Sequence, residues 1–195
     1  LIAPGRSLGA TPSQIVVAEL EDKGLLTNSP VGHVVEILGT IDEPGMETEI
    51  AVRKFDLPYK FSEETKKEIK RFSDSVTKSD LRDRVDLRDI PFVTIDGADA
   101  KDFDDAVYCL PVEEGKFRLL VAIADVSHYV KPGCSIDKDA QLRTTSVYFP
   151  RRVIPMLPEE LSNGLCSLNP QVDRCTMVCD AIIGANGLVE AYQFY

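Results

Sequence analysis

Five aspartates fall within ten residues of this chain. They are Asp96, Asp99, Asp102, Asp104 and Asp105. Apolar residues precede them at 92–95 and follow them at 106–110, so two predicted strands flank the acidic stretch. Carboxylates held this close either raise one another's pKa or bind a cation. Oxygen ligands suit a hard ion such as Mg²⁺ or Mn²⁺, so the stretch predicts a carboxylate metal site for phosphate chemistry.

The acidic stretch has two other possible interpretations. A solvated acidic loop stays open from composition alone. A calcium-binding EF-hand loop fails on spacing, because counting from Asp96 finds neither Gly at the sixth place nor Glu at the twelfth, and counting from Asp102 finds Val107 at the sixth. The flanking strands favour the metal site, since they would fix the carboxylates to a rigid edge.

Several longer segments around the aspartates have an unusual sequence. They are residues 86–96, 121–130, 146–150, 155–158 and 161–170. In this order they resemble the start of the catalytic domain of the ribonuclease II/R (RNB) family, nearest its bacterial ribonuclease R branch. The resemblance covers about residues 80–195, and the N-terminal part fits the same family more loosely.

The resemblance implies a processive hydrolytic exoribonuclease that degrades single-stranded RNA from the 3′ end and releases nucleoside 5′-monophosphates. Its four essential aspartates correspond to Asp96, Asp102, Asp104 and Asp105. By the same resemblance, Mg²⁺ (Mn²⁺ is possible) would bind Asp96, Asp102 and Asp105, and Asp104 would be essential to the chemical step. Asp99 is then accessory.

The resemblance also assigns a tyrosine that stacks near the RNA 3′ end, and this residue corresponds to Tyr148. Arg143, Arg151 and Arg152 are further candidates for phosphate contacts, with surface solubility as the alternative. Arg82, Arg84 and Arg88 are expected to pair with neighbouring aspartates of a linker. Asp125 is expected to cap a turn, with support of the metal site as the alternative, and His128 is expected to be structural.

Family members are much longer than this chain, so the chain is expected to be an internal fragment whose isolated activity is doubtful. The alternative function is a catalytically incomplete module that binds RNA or an ion. The expected fold class is α+β. The expected domains are the C-terminal part of an OB-like cold-shock barrel at 1–58, a helical linker at 59–90 and the β-rich first part of an RNB catalytic domain at 91–195.

The composition is that of an ordinary globular chain. Of 195 residues, 44% are hydrophobic and 28% are charged, and no apolar run approaches the length of a membrane span. A cytoplasmic location is therefore expected, with no membrane contact and no obligate protein partner. The net charge of −10 argues against a surface that binds RNA throughout. The five cysteines lack the spacing of a zinc site.

The hydrophobic pattern predicts the secondary structure. Short strands are expected at 15–20, 31–38, 46–52, 92–95, 105–110, 117–125 and 174–183. A hairpin turn is expected at 113–116. A helix capped by Ser62 is expected at 62–72, with acids in its first turn, bases in its last turn and a pair between Glu63 and Lys67. A second helix is expected at 136–143.

Overall fold

The computed structural model describes residues 1–22 and 30–195. These residues form two compact units, Leu1–Lys60 with Tyr148–Ile154 and Phe61–Val147 with Pro155–Tyr195. Strands and helices occur together and strands dominate, which confirms the α+β class. The sheets formed by the described residues are open. The domain boundaries expected after residues 58 and 90 stay predictions.

The described residues form eight strands and four α-helices. The strands are β1 Gln14–Asp22, β2 Val31–Thr40, β3 Asp105–Pro111, β4 Phe117–Ala124, β5 Val147–Phe149, β6 Arg152–Ile154, β7 Thr176–Ile183 and β8 Val189–Phe194. The helices are α1 Met46–Lys54, α2 Glu63–Ile69, α3 Val126–Tyr129 and α4 Ser135–Arg143. A 3₁₀ turn at Glu113–Gly115 and a π-helical segment at Glu160–Leu165 complete the list. None of the described helices is both long and apolar enough to span a membrane.

The first unit is built on the antiparallel pair β1 and β2, in which Gln14 lies opposite Thr40. The strands expected at 15–20 and 31–38 are thus confirmed. Helix α1 packs against β2. Val34, Met46, Val52 and Ile154 are buried in this unit.

The strand expected at 46–52 is wrong, because these residues form helix α1. The segment carries acids in its first turn and bases in its last turn, a distribution that favours a helix through the dipole. Arg53 forms an ion pair with Glu49 one turn earlier and a second with Glu36 of β2 at 2.6 Å. The charge pattern along the helix therefore outweighs the apolar alternation.

The second unit contains a four-stranded antiparallel sheet in the order β3-β4-β7-β8. Strands β3, β4 and β7 and the turn after β3 confirm the expected hairpin and the strand expected at 174–183. Residues 92–95 do not form the expected strand, because only Val93 pairs, with Val107 of β3. Strand β8 was missed, although Asn186-Gly187 before it is a typical turn signal, and Gly187 adopts φ 80°.

The two faces of this sheet differ in how well they are covered. On one face Leu120, Ala122 and Val178 are buried under the segment that contains Leu87 and Phe92. The other face carries side chains that stay largely in solvent: Val93, Ile123, Met177, Tyr192 and Phe194. The sheet is therefore packed on one side and largely uncovered on the other.

Helices α2 and α4 pack together at the side of a second core. Ser62 caps α2 as expected, since its Oγ accepts a hydrogen bond from the amide of Thr65 at 3.2 Å. The expected pair with Lys67 is wrong, because Glu63 binds Lys66 instead, at 2.6 Å. Helix α4 confirms the helix expected at 136–143, and Glu68 of α2 accepts a hydrogen bond from the Ser135 amide at 2.8 Å.

Candidate active site

The aspartate-rich stretch is a loop that enters the sheet at its edge. Val93 exchanges two backbone hydrogen bonds with Val107, of 3.0 and 2.9 Å, and β3 begins at Asp105. Between these points the amide of Ala100 donates to the carbonyl of Gly97 at 3.0 Å and closes a turn. The loop is thus anchored at both ends on β3.

Contacts with the segment 161–170 fix the second half of the loop. The amide of Phe103 donates to the Ser167 hydroxyl at 3.0 Å, and this hydroxyl donates to the carbonyl of Lys101 at 2.7 Å. The amide of Leu168 donates to the carbonyl of Phe103 at 2.9 Å. On the other side, the amide of Ala124 donates to the carbonyl of Asp104 at 2.9 Å. The backbone from residue 101 to residue 104 is therefore held from two directions.

Three carboxylates of the loop act on a fourth, that of Asp104. The pKa of Asp104 is raised, first by burial and then by the negative charges of Asp102, Asp105 and Asp96. These three are the other members of the set of four that the family resemblance selects. Asp102 is half-buried, whereas Asp96, Asp104 and Asp105 are more exposed, so the burial that affects Asp104 is partial. The four predicted residues thus form one acidic group, in which the other three act on Asp104.

The donor chemistry of this group fits a hard divalent cation, since every side-chain donor is a carboxylate oxygen. Among the residues that the structure describes, however, no three carboxylates, imidazoles or thiols come close enough together to hold a metal ion. Mg²⁺ commonly binds through one or two carboxylates, keeps several waters and takes further oxygens from substrate phosphates. The carboxylates therefore suit a site that substrate completes, rather than a closed protein cage.

A buried thiol lies in the electrostatic field of the same group. Burial, and then the charge of Asp104, raises the pKa of Cys166 to about 12. The thiol therefore stays protonated at neutral pH and is not a nucleophile. All five cysteines are free thiols.

Tyr148 lies in β5, and its side chain is 65% exposed. It belongs to the first compact unit, whereas the four aspartates belong to the second. An exposed aromatic ring can stack on a base. Its predicted contact with an RNA end stays a prediction.

The arginines expected to contact phosphate are mostly engaged within the protein. Arg143 is 6% exposed, stacks on the Phe61 ring at 3.7 Å and donates to the carbonyl of Pro155 at 3.0 Å. This burial argues against both roles expected for Arg143, a phosphate contact and a surface charge. Arg152 pairs with Glu49, and Arg151 is exposed.

Two of the three linker arginines, Arg84 and Arg88, form ion pairs with aspartates, and the pairing of Arg82 stays a prediction. Arg88 binds Asp86 at 2.6 Å, as expected, but the partner of Arg84 is Asp125, at 2.7 Å. Asp125 also caps α3, because it accepts the His128 amide at 3.1 Å, which confirms the expected cap. The His128 ring lies 2.8 Å from Asp80, so it forms part of the same structural network.

Comparison with known proteins places this loop and sheet in a known class. The RNB domain family matches residues 84–195, and the cold shock domain family matches residues 1–62. The first match alone covers more than half of the chain, so the chain belongs to the ribonuclease II/R (RNB) family of exoribonucleases.

Within this family the chain is similar to bacterial ribonuclease R. It is 55% identical to ribonuclease R of Acidithiobacillus ferrooxidans over 99% of this chain and 44% of that protein. It is 49% identical to ribonuclease R of Escherichia coli over 100% of this chain and 24% of that protein. The chain thus spans less than half the length of these relatives.

Solved structures share this fold. Mycoplasma genitalium RNase R in complex with double-stranded RNA matches with a TM-score of 0.92 and 31% identity, over 100% of this chain and 35% of that one. Yeast Ssd1, a pseudonuclease, matches with a TM-score of 0.68 and 18% identity, over 94% of this chain and 23% of that one. Because a pseudonuclease has this fold, the fold alone does not establish catalysis.

Proposed function

We propose that the natural protein that carries this chain is a processive exoribonuclease, which hydrolyses single-stranded RNA from the 3′ end to nucleoside 5′-monophosphates. The observation that carries the proposal is the anchored loop on which Asp96, Asp102 and Asp105 lie near enough to Asp104 to raise its pKa. Family membership and the similarity to ribonuclease R over the whole chain support it. The solved complexes of Mycoplasma genitalium RNase R with RNA support RNA as the substrate.

Asp96, Asp102 and Asp105 would hold Mg²⁺ or Mn²⁺. A divalent ion at this place would offset the charge of the phosphodiester and make water more acidic. The three side chains are suited to this role because they supply oxygens and are poor nucleophiles toward an anionic phosphate. Because no three carboxylates among the described residues come close enough together to enclose an ion, water and substrate phosphate would supply the remaining ligands.

Asp104 would act as the general base that accepts a proton from the attacking water. Its raised pKa makes its carboxylate a better base than an ordinary aspartate. The Ala124 amide donates a hydrogen bond to the Asp104 carbonyl, so the backbone that carries this carboxylate is held in place. We assign it the proton released by the attacking water, taken up on a carboxylate oxygen.

Tyr148 would stack on a base near the RNA 3′ end. Stacking is worth about 1–3 kcal/mol per base and tolerates every base, because each has an aromatic face. Degradation without sequence preference follows from such a contact. A cytoplasmic location and the lack of an obligate protein partner remain predictions.

A second function, an RNA- or ion-binding module without chemistry, has two observations in its favour. The fold also occurs in a pseudonuclease, and no three-ligand metal group is formed among the described side chains. The two functions differ in one measurable respect, since only the enzyme shortens RNA.

The test follows 5′-labelled single-stranded RNA with the full-length natural protein, in Mg²⁺ and in excess chelator. We expect progressive shortening only with Mg²⁺. Asp104→Asn should lower the rate at least about 100-fold, the usual contribution of a proton-transfer group, and retain RNA binding. Asp99→Asn, which removes a charge from the same loop, is the matched control and should keep the rate within about threefold.

Undiminished cleavage by Asp104→Asn would refute the assigned role of this residue. RNA binding without shortening by the unsubstituted protein would instead support the binding module. Shortening that persists in chelator would refute the divalent-ion dependence.

A further inference from the structure

Ser167 is a buried polar residue that the proposed chemistry does not use. It lies in segment 161–170, is 0% exposed, and belongs to a different part of the chain from the aspartates. Its hydroxyl makes two hydrogen bonds, one accepted from the amide of Phe103 at 3.0 Å and one donated to the carbonyl of Lys101 at 2.7 Å. These two residues flank Asp102 directly.

The two hydrogen bonds of the Ser167 hydroxyl are important for the loop conformation because residues 94–104 lie outside helices and strands. No hydrogen bonds of a helix or strand fix the backbone around Asp102, so its conformation depends on contacts with other parts of the chain. One hydroxyl holds the peptide groups on both sides of Asp102, and the Leu168 amide adds a bond to the Phe103 carbonyl. The segment 161–170 thus sets the local conformation of the loop.

Ser167 is itself held from behind. Its carbonyl accepts hydrogen bonds from Arg174 Nε and from the Asn169 amide, both at 2.8 Å. Its amide donates to the carbonyl of Gly164 at 3.2 Å. The hydroxyl therefore has a fixed position, as a support for other groups requires.

We propose that Ser167 is a positioning residue, which orients the Asp102 carboxylate and its neighbours for the divalent cation through the backbone of Lys101 and Phe103. This inference rests on the proposed exoribonuclease function. Groups that support metal ligands in this way commonly change metal affinity or activity 10- to 100-fold when they are removed.

The test compares Ser167→Ala, Ser167→Cys and Ser62→Ala in the full-length natural protein. Cysteine keeps the approximate volume of serine but forms only weak hydrogen bonds, so it remains informative if alanine prevents folding. Ser62→Ala is the matched control, because the Ser62 hydroxyl also accepts a backbone amide but contacts helix α2. The readouts are Mn²⁺ affinity by electron paramagnetic resonance without RNA, kcat and KM on labelled RNA, and urea unfolding.

We expect both Ser167 variants to bind Mn²⁺ about tenfold more weakly and to lose kcat about tenfold or more, with KM for RNA within twofold. Ser62→Ala should lose stability but keep Mn²⁺ affinity and kcat within twofold. Unchanged Mn²⁺ affinity and kcat in the Ser167 variants would overturn this inference and leave the proposed function standing. A lack of Mn²⁺ binding and cleavage in the unsubstituted protein would overturn both.

Discussion

Asp180 of β7 binds side chains of β4 and β8, so its replacement should lower the free energy of unfolding. The side chain is 6% exposed and binds Arg118 of β4 through two hydrogen bonds, of 2.9 and 2.6 Å. From the chain end it also accepts the Gln193 amide group at 3.3 Å and the Tyr195 hydroxyl at 3.2 Å. Asp180→Ala therefore leaves the Arg118 guanidinium without its bidentate partner.

The magnitude follows from the burial of the two partners. Breaking a buried ion pair on one side costs about 3–5 kcal/mol. The Arg118 side chain is 41% exposed and regains some water, so the lower end applies, and we expect a loss of about 3 kcal/mol in the free energy of unfolding. For a chain of this size about 2–4 °C accompany each kcal/mol, which gives a fall in Tm of about 6–12 °C.

Urea unfolding at pH 7 measures this loss. The matched control is Asp173→Ala, which removes an aspartate paired with Arg88 at 3.4 Å on the surface, where both side chains are at least half exposed. That pair should contribute less than about 1 kcal/mol. A loss for Asp180→Ala no larger than the loss for Asp173→Ala would refute the reasoning that burial gives this ion pair its weight.

Two further perturbations test the pH dependence of the fold and the role of the exposed ring. The hydroxyl of Thr77, and then His128, lowers the pKa of Asp80 to about 2, so its stabilisation is present above the ordinary carboxyl pKa of 3.8 and disappears as the pH falls toward 2. Asp80→Asn should cost about 1–2 kcal/mol in urea unfolding at pH 7 and much less at pH 2.5, and equal costs at the two pH values would contradict this assignment. Tyr148→Ala should change the length of the final RNA product and leave Mn²⁺ affinity intact, whereas Tyr192→Ala, a similarly exposed tyrosine, should change neither; identical products from both variants would argue against stacking by Tyr148.

The sequence predicted correctly those elements that depend on residues close together along the chain. The cap at Ser62, the apolar run of β4 and the turn between β3 and β4 each depend on a few neighbouring residues. The helix at Met46–Lys54 was missed because its apolar spacing also suits a strand, and its deciding ion pair with Glu36 joins residues 17 positions apart. Strand β8 was missed because its side chains are exposed, so its sequence lacks the apolar run that marks a buried strand.

The candidate site shows the same division between local and distant causes. The aspartates were visible as a dense acidic stretch, and the family resemblance selected four of them. The support from Ser167 joins residues 64 and 66 positions apart, so no spacing rule in one sequence could have found it. The raised pKa of Asp104 likewise depends on burial, which only the folded chain provides.

The sheet of the second unit has one consequence for work with this chain in solution. Ile123, Met177 and Phe194 are each about half exposed or more, on neighbouring strands of the uncovered face. An exposed nonpolar surface of this kind favours association between molecules in water. Concentrated samples of the chain are therefore expected to self-associate through this face, and dilution or a mild detergent should reverse the association.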